Sequence, residues 1–484
     1  MKTSNVTPRF ASPHDLDGRL PLRQAIPLGL QHVLAMFVGN LSPLLILMAV
    51  CGITVDAGYE ALRVSLLQNA MLVAGLVTLL QLYPVGPIGA RLPIVMGTSS
   101  GFIGVNKAIA VSMMAGIAAG TISTNVEAGI YAYGAVMGAS LIGGVWEMVQ
   151  GFLIKPLRRF FPPVVTGVVV TAIGLSLIPV GIGFFGGGSA SADYGALWNL
   201  FLGLVTLIVI LIFKHACTGF LSVASILLGI IAGYLVSFLM GLVLPHTAVI
   251  DGKEVVCGYI TDWAQVKDAA WFAIPQWMPV KFQFNIGAIV PMLIMFVVTA
   301  VETVGDTAGV VQGGLDREAT DKELSGAVIC DGFGSSLAAF FGVLPNTSFS
   351  QNVGLISMTH VVNRFTIMFG ALAMILGGLF PLIGAFFTTL PDCVLGGCTV
   401  IMFGSIMMSG IRMMQDTGLD QRNVLIAATS LCLGVGVTQV EGFFDNLPPV
   451  FGEIFAGNMV AGVFVVGLIL ELCLPKDPKR YETR

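Results

Sequence analysis

Charge is what this sequence has least of. Only 10% of its 484 residues are Asp, Glu, Lys or Arg, against about 25% in soluble domains. With 56% of residues hydrophobic and the deficit spread along the whole chain, a soluble fold with a single anchor is excluded, and a polytopic membrane protein is expected. Histidine is scarce too, at five residues, and none of the eight cysteines forms a CxxC pair. That leaves no His/Cys set with metal-ligand spacing, and no nucleophile–base pair or phosphate loop is visible. No metal, no cofactor and no enzymatic activity are therefore expected, and so few basic residues give no footing for nucleic acid. The first 25 residues are polar, with Arg9, Arg19 and Arg23. They read as a tail rather than a cleavable signal.

What is present is apolar length. Runs near 26–50, 62–83, 128–153, 162–183, 197–213, 219–243, 284–308, 324–342, 365–388, 391–411, 423–437 and 456–474 approach the roughly 20 residues that a spanning helix needs. Two further segments, 92–112 and 344–361, are interrupted by Gly, Ser, Thr and Asn. Counting them predicts fourteen crossings. Positive charge gathers at both ends and in alternate connections: Arg91, Lys155, Arg158, Arg159, Lys214, Arg317, Lys322, Arg364, Arg412, Arg422, Lys476, Lys479 and Arg480. The opposite connections lack Lys and Arg, except 244–283, which is long enough to cross regardless of charge. Both termini are thus expected on the cytoplasmic side.

An even number of crossings with both ends inside permits two inverted halves of seven. Pro162 and Pro391 each open a span, Gly167 and Gly396 follow at one shared offset, and Gly181-Ile182 matches Gly410-Ile411 at another. The interrupted segments would be third and tenth, and they share Thr98-Ser99 and Thr347-Ser348. Each reads as a short extended piece, Leu92 to Gly97 or Gly342 to Pro345, followed by a half-helix. Paired broken segments point to a binding site near the bilayer midplane. Half-helix N-termini there present free N–H groups and the positive end of a dipole.

Few ionisable residues lie within the spans. Glu302 and Asp306, four apart, share one helix face, and Asp331 and His32 are weighed with them. Buried carboxylates at membrane depth mark ligand or proton sites by default; the competing reading is hydrogen-bonded links between helices. Gln351 and Asn352 are amides that donate and accept at once. That suits a planar heterocycle with alternating N–H and C=O edges, to which a carboxylate adds an acceptor.

The run Gln351-Asn352-Val353-Gly354-Leu355-Ile356-Ser357-Met358-Thr359 resembles the signature of the nucleobase–ascorbate transporter family. The likeness extends to Gln31-His32, Gly97-Thr98-Ser99, Glu302 with Gly305-Asp306, and Asp331-Gly332. It implies an all-α membrane fold of fourteen segments in a seven-plus-seven inverted repeat, with two half-helices each preceded by a short strand. Residues 26–153 and 284–388 would form a core domain, and 154–243 and 389–474 a gate domain. An external loop at 244–283 and cytoplasmic tails at 1–25 and 475–484 complete the division. The family is usually dimeric, so a homodimer in the inner membrane is expected.

By the same resemblance, Glu302 and Gln351 would hold a purine base, and backbone groups near Ser100 and Ser350 would complete the contact. Asp306, Asp331, His32 and Asn352 would serve proton coupling or core geometry. Glutamine at position 351 goes with xanthine or urate in this family. The Glu302-to-Asp306 spacing resembles xanthine permeases, the Ser348-to-Leu355 run urate permeases, and xanthine is slightly favoured. Ser100 stands where phenylalanine is common, so Phe102 is the candidate aromatic. His360 stands where glycine, lysine or arginine is usual. The expected function is proton-coupled import of an oxidised purine. The alternatives are a uracil or broader nucleobase permease, and an anion transporter of the sulfate and bicarbonate type.

Overall fold

The computed structural model describes residues 11–475 apart from 55–57, 158–162, 189–190, 219, 251–252, 261–262, 264–265, 268, 441, 445, 449–451, 453–454 and 456–458. Arg9, Arg158, Arg159, Pro162, Lys476, Lys479 and Arg480 therefore lie outside the described residues. The first half runs α1 (Leu22–Val50), α2 (Glu60–Leu82), β1 (Met96–Thr98), α3 (Ile103–Ala118), α4 (Ala128–Phe152), α5 (Pro163–Phe185), α6 (Leu197–Ala216) and α7 (Ser225–Val243). A hairpin follows, β2 (Thr247–Ile250) and β3 (Lys253–Val256). The second half runs α8 (Ile286–Leu315), α9 (Asp321–Phe340), β4 (Asn346–Ser348), α10 (Ser350–Thr359), α11 (Arg364–Leu379), α12 (Asp392–Thr417), α13 (Gln421–Gln439) and α14 (Met459–Cys473). Among the described residues, eight helices are long and apolar enough to cross a membrane, and shorter apolar helices include α11 and α14.

Two predicted spans are broken. The run at 365–388 stops at Leu379, and a separate helix takes up Pro381–Thr388. Proline disfavours helical backbone in the residue before it, and Phe380 is extended, with φ −110° and ψ 96°. The run at 219–243 is divided into a short turn, Phe220–Val223, and α7. Segment 92–112 continues as helix to Ala118, with Lys107 inside α3.

The helices pack as two groups, α1–α4 with α8–α11, and α5–α7 with α12–α14. The packing is preserved when each helix is exchanged for the one seven places along. The α4–α9 contact answers α11–α2, α8–α4 answers α1–α11, and α13–α14 answers α6–α7, while α5 packs on α12. Helices α1 and α8 reach across to the other group, α1 to α7 and α12, α8 to α14 and α5.

At the centre, β1 and β4 pair antiparallel, with Gly97 opposite Thr347. Backbone inside a membrane protein must find its partners within the protein, and the two strands solve this alike. The Thr78 hydroxyl of α2 brackets the backbone of Met96, and the Ser335 hydroxyl of α9 brackets that of Asn346. Ser99 N–H donates to Pro345 O at 2.8 Å, and Phe349 N–H to Val95 O at 3.0 Å. These bonds equate residues 250 apart (Met96 with Asn346, Ser99 with Phe349). The match of Thr98-Ser99 to Thr347-Ser348 is therefore off by one: Thr98 answers Ser348, Ser100 answers Ser350, and Gly101 answers Gln351. Asn346 likewise belongs to the strand, and the half-helix starts at Ser350.

Glycine permits the closest crossing. A Cβ on Gly332 of α9 would stand 2.5 Å from the Gly144 carbonyl and 2.5 Å from the Met148 nitrogen of α4, and Gly144 meets Gly332 reciprocally. Backbone on both sides leaves nothing to give way. Gly332→Ala is expected to lower thermal stability in detergent by roughly 1–3 kcal/mol. Gly436→Ala on α13, with open space around its Cβ position, should be neutral or stabilise by up to about 1 kcal/mol. Equal thermal midpoints for the two variants would contradict this packing.

The connection from α8 to α9 is built on charge. Thr320 and Glu323 form a capping box at the start of α9, and Arg317 clamps Glu323 with bonds of 2.9 and 2.5 Å. The guanidinium holds the Glu323 carboxyl down at about 2, from an ordinary 4.5. A depressed carboxyl contributes stability that is fully present above its unfolded value and is lost as pH falls through the folded one. The thermal deficit of Glu323→Gln relative to the parent should thus be full at pH 7 and vanish as pH falls from 4.5 towards 2. A deficit independent of pH would contradict it.

Candidate functional site

The two broken segments share one burial pattern. Residues 92–99 and 343–349 are buried throughout, and exposure begins at Ser100 and at Ser350. Partial exposure thus starts at the first residues of both half-helices. Their starts differ in chemistry. Ser99 caps its own turn, accepting from Gly101 N–H at 3.2 Å, whereas Phe349 offers no capping side chain. The N–H groups of Ser350 and Gln351 therefore have no intrahelical partner. At the next step the difference widens: Gly101 has no side chain, and Gln351 carries an amide. That amide is half-buried and makes no hydrogen bond to the described residues.

Glu302 fills the room that Gly101 leaves. Its Oε2 lies 3.6 Å from where a Gly101 Cβ would stand. Glu302 is 9% exposed, and Oε2 has no hydrogen-bond partner among the described residues. A buried carboxylate oxygen without a donor is rare in a finished structure, and this one sits beside a helical N-terminus, where the local field favours negative charge. One turn along α8, Asp306 Oδ2 accepts from Ser348 Oγ at 2.7 Å and Ser350 Oγ at 3.0 Å. Asp306 thereby ties α8 to the start of α10.

The other acids and amides link elements. Asp331 is fully buried; its Oδ2 accepts from Thr303, and from Thr347 Oγ1 at 3.2 Å, which joins α9, α8 and β4. Asn352 Nδ2 donates to the His32 carbonyl at 3.0 Å and meets His32 Nδ1 at 3.1 Å. The carbonyl bond fixes that atom as the nitrogen, so its second hydrogen makes Nδ1 an acceptor. This pair holds α10 against α1. Phe102 is fully buried and its ring packs on Phe296 at 4.7 Å. His360, the departure from the family pattern, ends α10 with φ 52°. That left-handed position favours glycine, which accounts for glycine being usual there.

Sequence reasoning passed over Glu147. It lies in α4, fully buried, with Oε1 accepting from Thr299 Oγ1 at 3.1 Å and Oε2 without a partner among the described residues. The signal was the same one that singled out Glu302, a lone carboxylate in an apolar span. Thr303 and Thr347 were also missed, because a threonine in a helix or strand carries no mark of what it bonds.

The assembled groups offer an unpaired carboxylate oxygen, an amide able to donate and accept, and free backbone N–H groups. Such a set complements a flat ligand bearing adjacent N–H and C=O groups. The acids on α8 and α9 oppose an anion.

Comparison with known proteins agrees with this chemistry. Residues 23–443 match the family model Xan_ur_permease, described as "Permease family". The chain is 33% identical to xanthine permease XanQ of Escherichia coli over 468 residues, covering 95% of this chain and 93% of XanQ. It is 31% identical to XanP of the same organism, covering 96% and 94%, and 33% identical to the xanthine permease of Bacillus subtilis, covering 91% and 92%. In fold it is similar to the transmembrane domain of a cyanobacterium bicarbonate transporter, BicA, with TM-score 0.50 at 15% identity over 93% of this chain and 97% of that one. It is also similar to SLC26A9, with TM-score 0.57 at 10% identity over 94% and 66%. A family match across most of the chain, with relatives above 30% identity along nearly its whole length, makes this a multi-pass membrane permease of the nucleobase–ascorbate transporter family.

Proposed function

We propose that the protein imports an oxidised purine, xanthine in preference to urate, across the inner membrane together with a proton. The observation that carries this reading is the unpartnered Glu302 Oε2 beside Gly101, on the helix that Asp306 ties to the start of a second half-helix, whose first residues carry uncapped N–H groups and the Gln351 amide. Glu302 accepts from the N–H groups of the base. Gln351 answers its C=O and N–H edge, and backbone groups at Ser100 and Ser350 complete the contact. Phe102 backs the first turn from within the core. Three bacterial relatives are named as xanthine permeases and another as a putative purine permease, which favours xanthine.

In this reading the chain crosses the membrane fourteen times, with both termini cytoplasmic, and works as a homodimer. Helices α1–α4 and α8–α11 form a core that carries the site. Helices α5–α7 and α12–α14 form a gate against which the core slides. Asp306, Asp331, His32 and Asn352 keep the two half-helices in place, and the acids among them handle the coupled proton. A base and a proton bind from outside and leave inside.

The fold likeness to a bicarbonate transporter supports a second reading, anion transport. Glu302 opposes it, because an unpaired carboxylate in the site repels anions. Sulfate or chloride flux through the purified protein, with no purine flux, would favour it.

Glu302→Gln and Gln351→Ala should each lower uptake efficiency for labelled xanthine about ten- to hundredfold, matching the roughly 1.5–3 kcal/mol of a hydrogen bond to a charged group. Unchanged uptake in both variants would overturn the site. Unlabelled xanthine should compete better than urate, and both better than uracil or guanine. Collapsing the proton gradient should abolish accumulation; accumulation that persists would remove the coupling and leave the site standing.

A further inference from the structure

The site as read leaves the fully buried acid Glu147 unused. Glu147 lies towards the C-terminal end of α4, where the Gly144–Gly332 crossing brings α4 and α9 into backbone contact. A Cβ on Gly332, the residue after Asp331, would stand 3.0 Å from the Glu147 carbonyl carbon. The two carboxylates are held in the same manner. Thr299 donates to Glu147, and Thr303, one turn along α8, donates to Asp331. Each acid keeps one oxygen without a partner among the described residues, Glu147 Oε2 and Asp331 Oδ1. One turn further along α4, Gln150 is 2% exposed, and both its amide atoms also lack partners among the described residues.

A buried carboxylate with a purely structural role is fully hydrogen-bonded or paired with a cation. The described ion pairs, Arg91–Asp17, Arg317–Glu323, Arg364–Asp17 and Arg422–Glu471, do not include these acids. The titratable groups on elements packed against α4 are Asp331 and Cys330 on α9, with Asp321, Lys322 and Glu323 in its first turn, Glu302 and Asp306 on α8, Arg23 and His32 on α1, and the exposed Lys155 just after α4. Lys107 on α3 is exposed, and Cys51 of α1 meets α4 at Gly129, the opposite end from Glu147. Asp331 and Glu302 lie within electrostatic reach of Glu147. Carboxylates in such contact take up and release protons as a set rather than singly.

We infer that Glu147 is a proton-holding residue of the transport cycle, exchanging one proton with Asp331 across the α4–α9 crossing while Glu302 engages the base. This rests on the proton-coupled reading above. Only O–H bonds form and break: a proton taken up by one carboxylate oxygen passes to the other and leaves as the core returns. Glu147 touches no substrate and acts through the acids beside it.

The full-length protein in proteoliposomes tests this, with labelled xanthine uptake driven by an imposed pH gradient and followed across external pH. Glu147→Gln should lower gradient-driven accumulation by at least about tenfold and flatten the pH profile. Xanthine affinity, measured by binding to the purified protein, should shift by less than about threefold. Glu147→Asp should restore a pH-dependent profile, and Thr299→Val, which removes the hydroxyl bonded to Glu147, should displace it. If Glu147→Gln does not reach the membrane, the other two variants carry the test. Parental profiles in every variant that folds, with the parent driven by the gradient, would overturn the inference. A parent indifferent to the gradient would instead overturn the coupled reading beneath it.

Discussion

The pairing of Met96–Thr98 with Asn346–Ser348 is the contact on which the rest of the site depends. Two stretches of irregular backbone lie inside a bundle of apolar helices, and each unsatisfied backbone group there would cost several kcal/mol. The strands satisfy each other, and Thr78 and Ser335 satisfy their outer edges. With the strands fixed, the chain turns into a half-helix on each side, and the two N-termini start from defined places. Asp306, Asp331 and the His32–Asn352 pair then tie the second of these segments to α8, α9 and α1, and Glu302 lies beside Gly101 in the first.

The pairing is symmetric and the site is not. Residues 250 apart do the same backbone work, yet Gly101 answers Gln351, and Phe102, packed on Phe296, answers the polar Asn352. One half supplies room and the other supplies an amide, with Glu302 entering through the room. A symmetric scaffold thus presents a one-sided set of polar groups. The same scaffold, with its half-helix dipoles, accounts for fold likeness to proteins whose names concern anions. In this chain Glu302 adds a carboxylate, which repels an anion.

Much of this was legible in the sequence because the governing constraints are local and strong. Apolar run length marks spans, and Gly, Ser, Thr and Asn within a run mark the two broken segments. Isolated carboxylates marked Glu302, Asp306 and Asp331. Three-residue strands were not legible in register, since nothing in Met96-Gly97-Thr98 or Asn346-Thr347-Ser348 says which residue lies opposite which. The sequence match accordingly slipped by one. The break at Phe380 was hidden by the apolar residues around Pro381, and Glu147 by the glycine-rich run in which it sits. Hydropathy reports what surrounds a residue and is blind to which helix crosses it. The Gly144–Gly332 crossing that brings Glu147 beside Asp331 is a fact of packing alone.

The central claim is that an unpaired Glu302 oxygen and the Gln351 amide meet one ligand between the two half-helix starts. An experimental structure of the protein with bound xanthine tests it most directly. The account predicts the purine between Gly101 and Gln351, with its N–H groups about 3 Å from Glu302 Oε2. A purine seated elsewhere, or a Glu302 oxygen taken up by a protein donor in that complex, would contradict it.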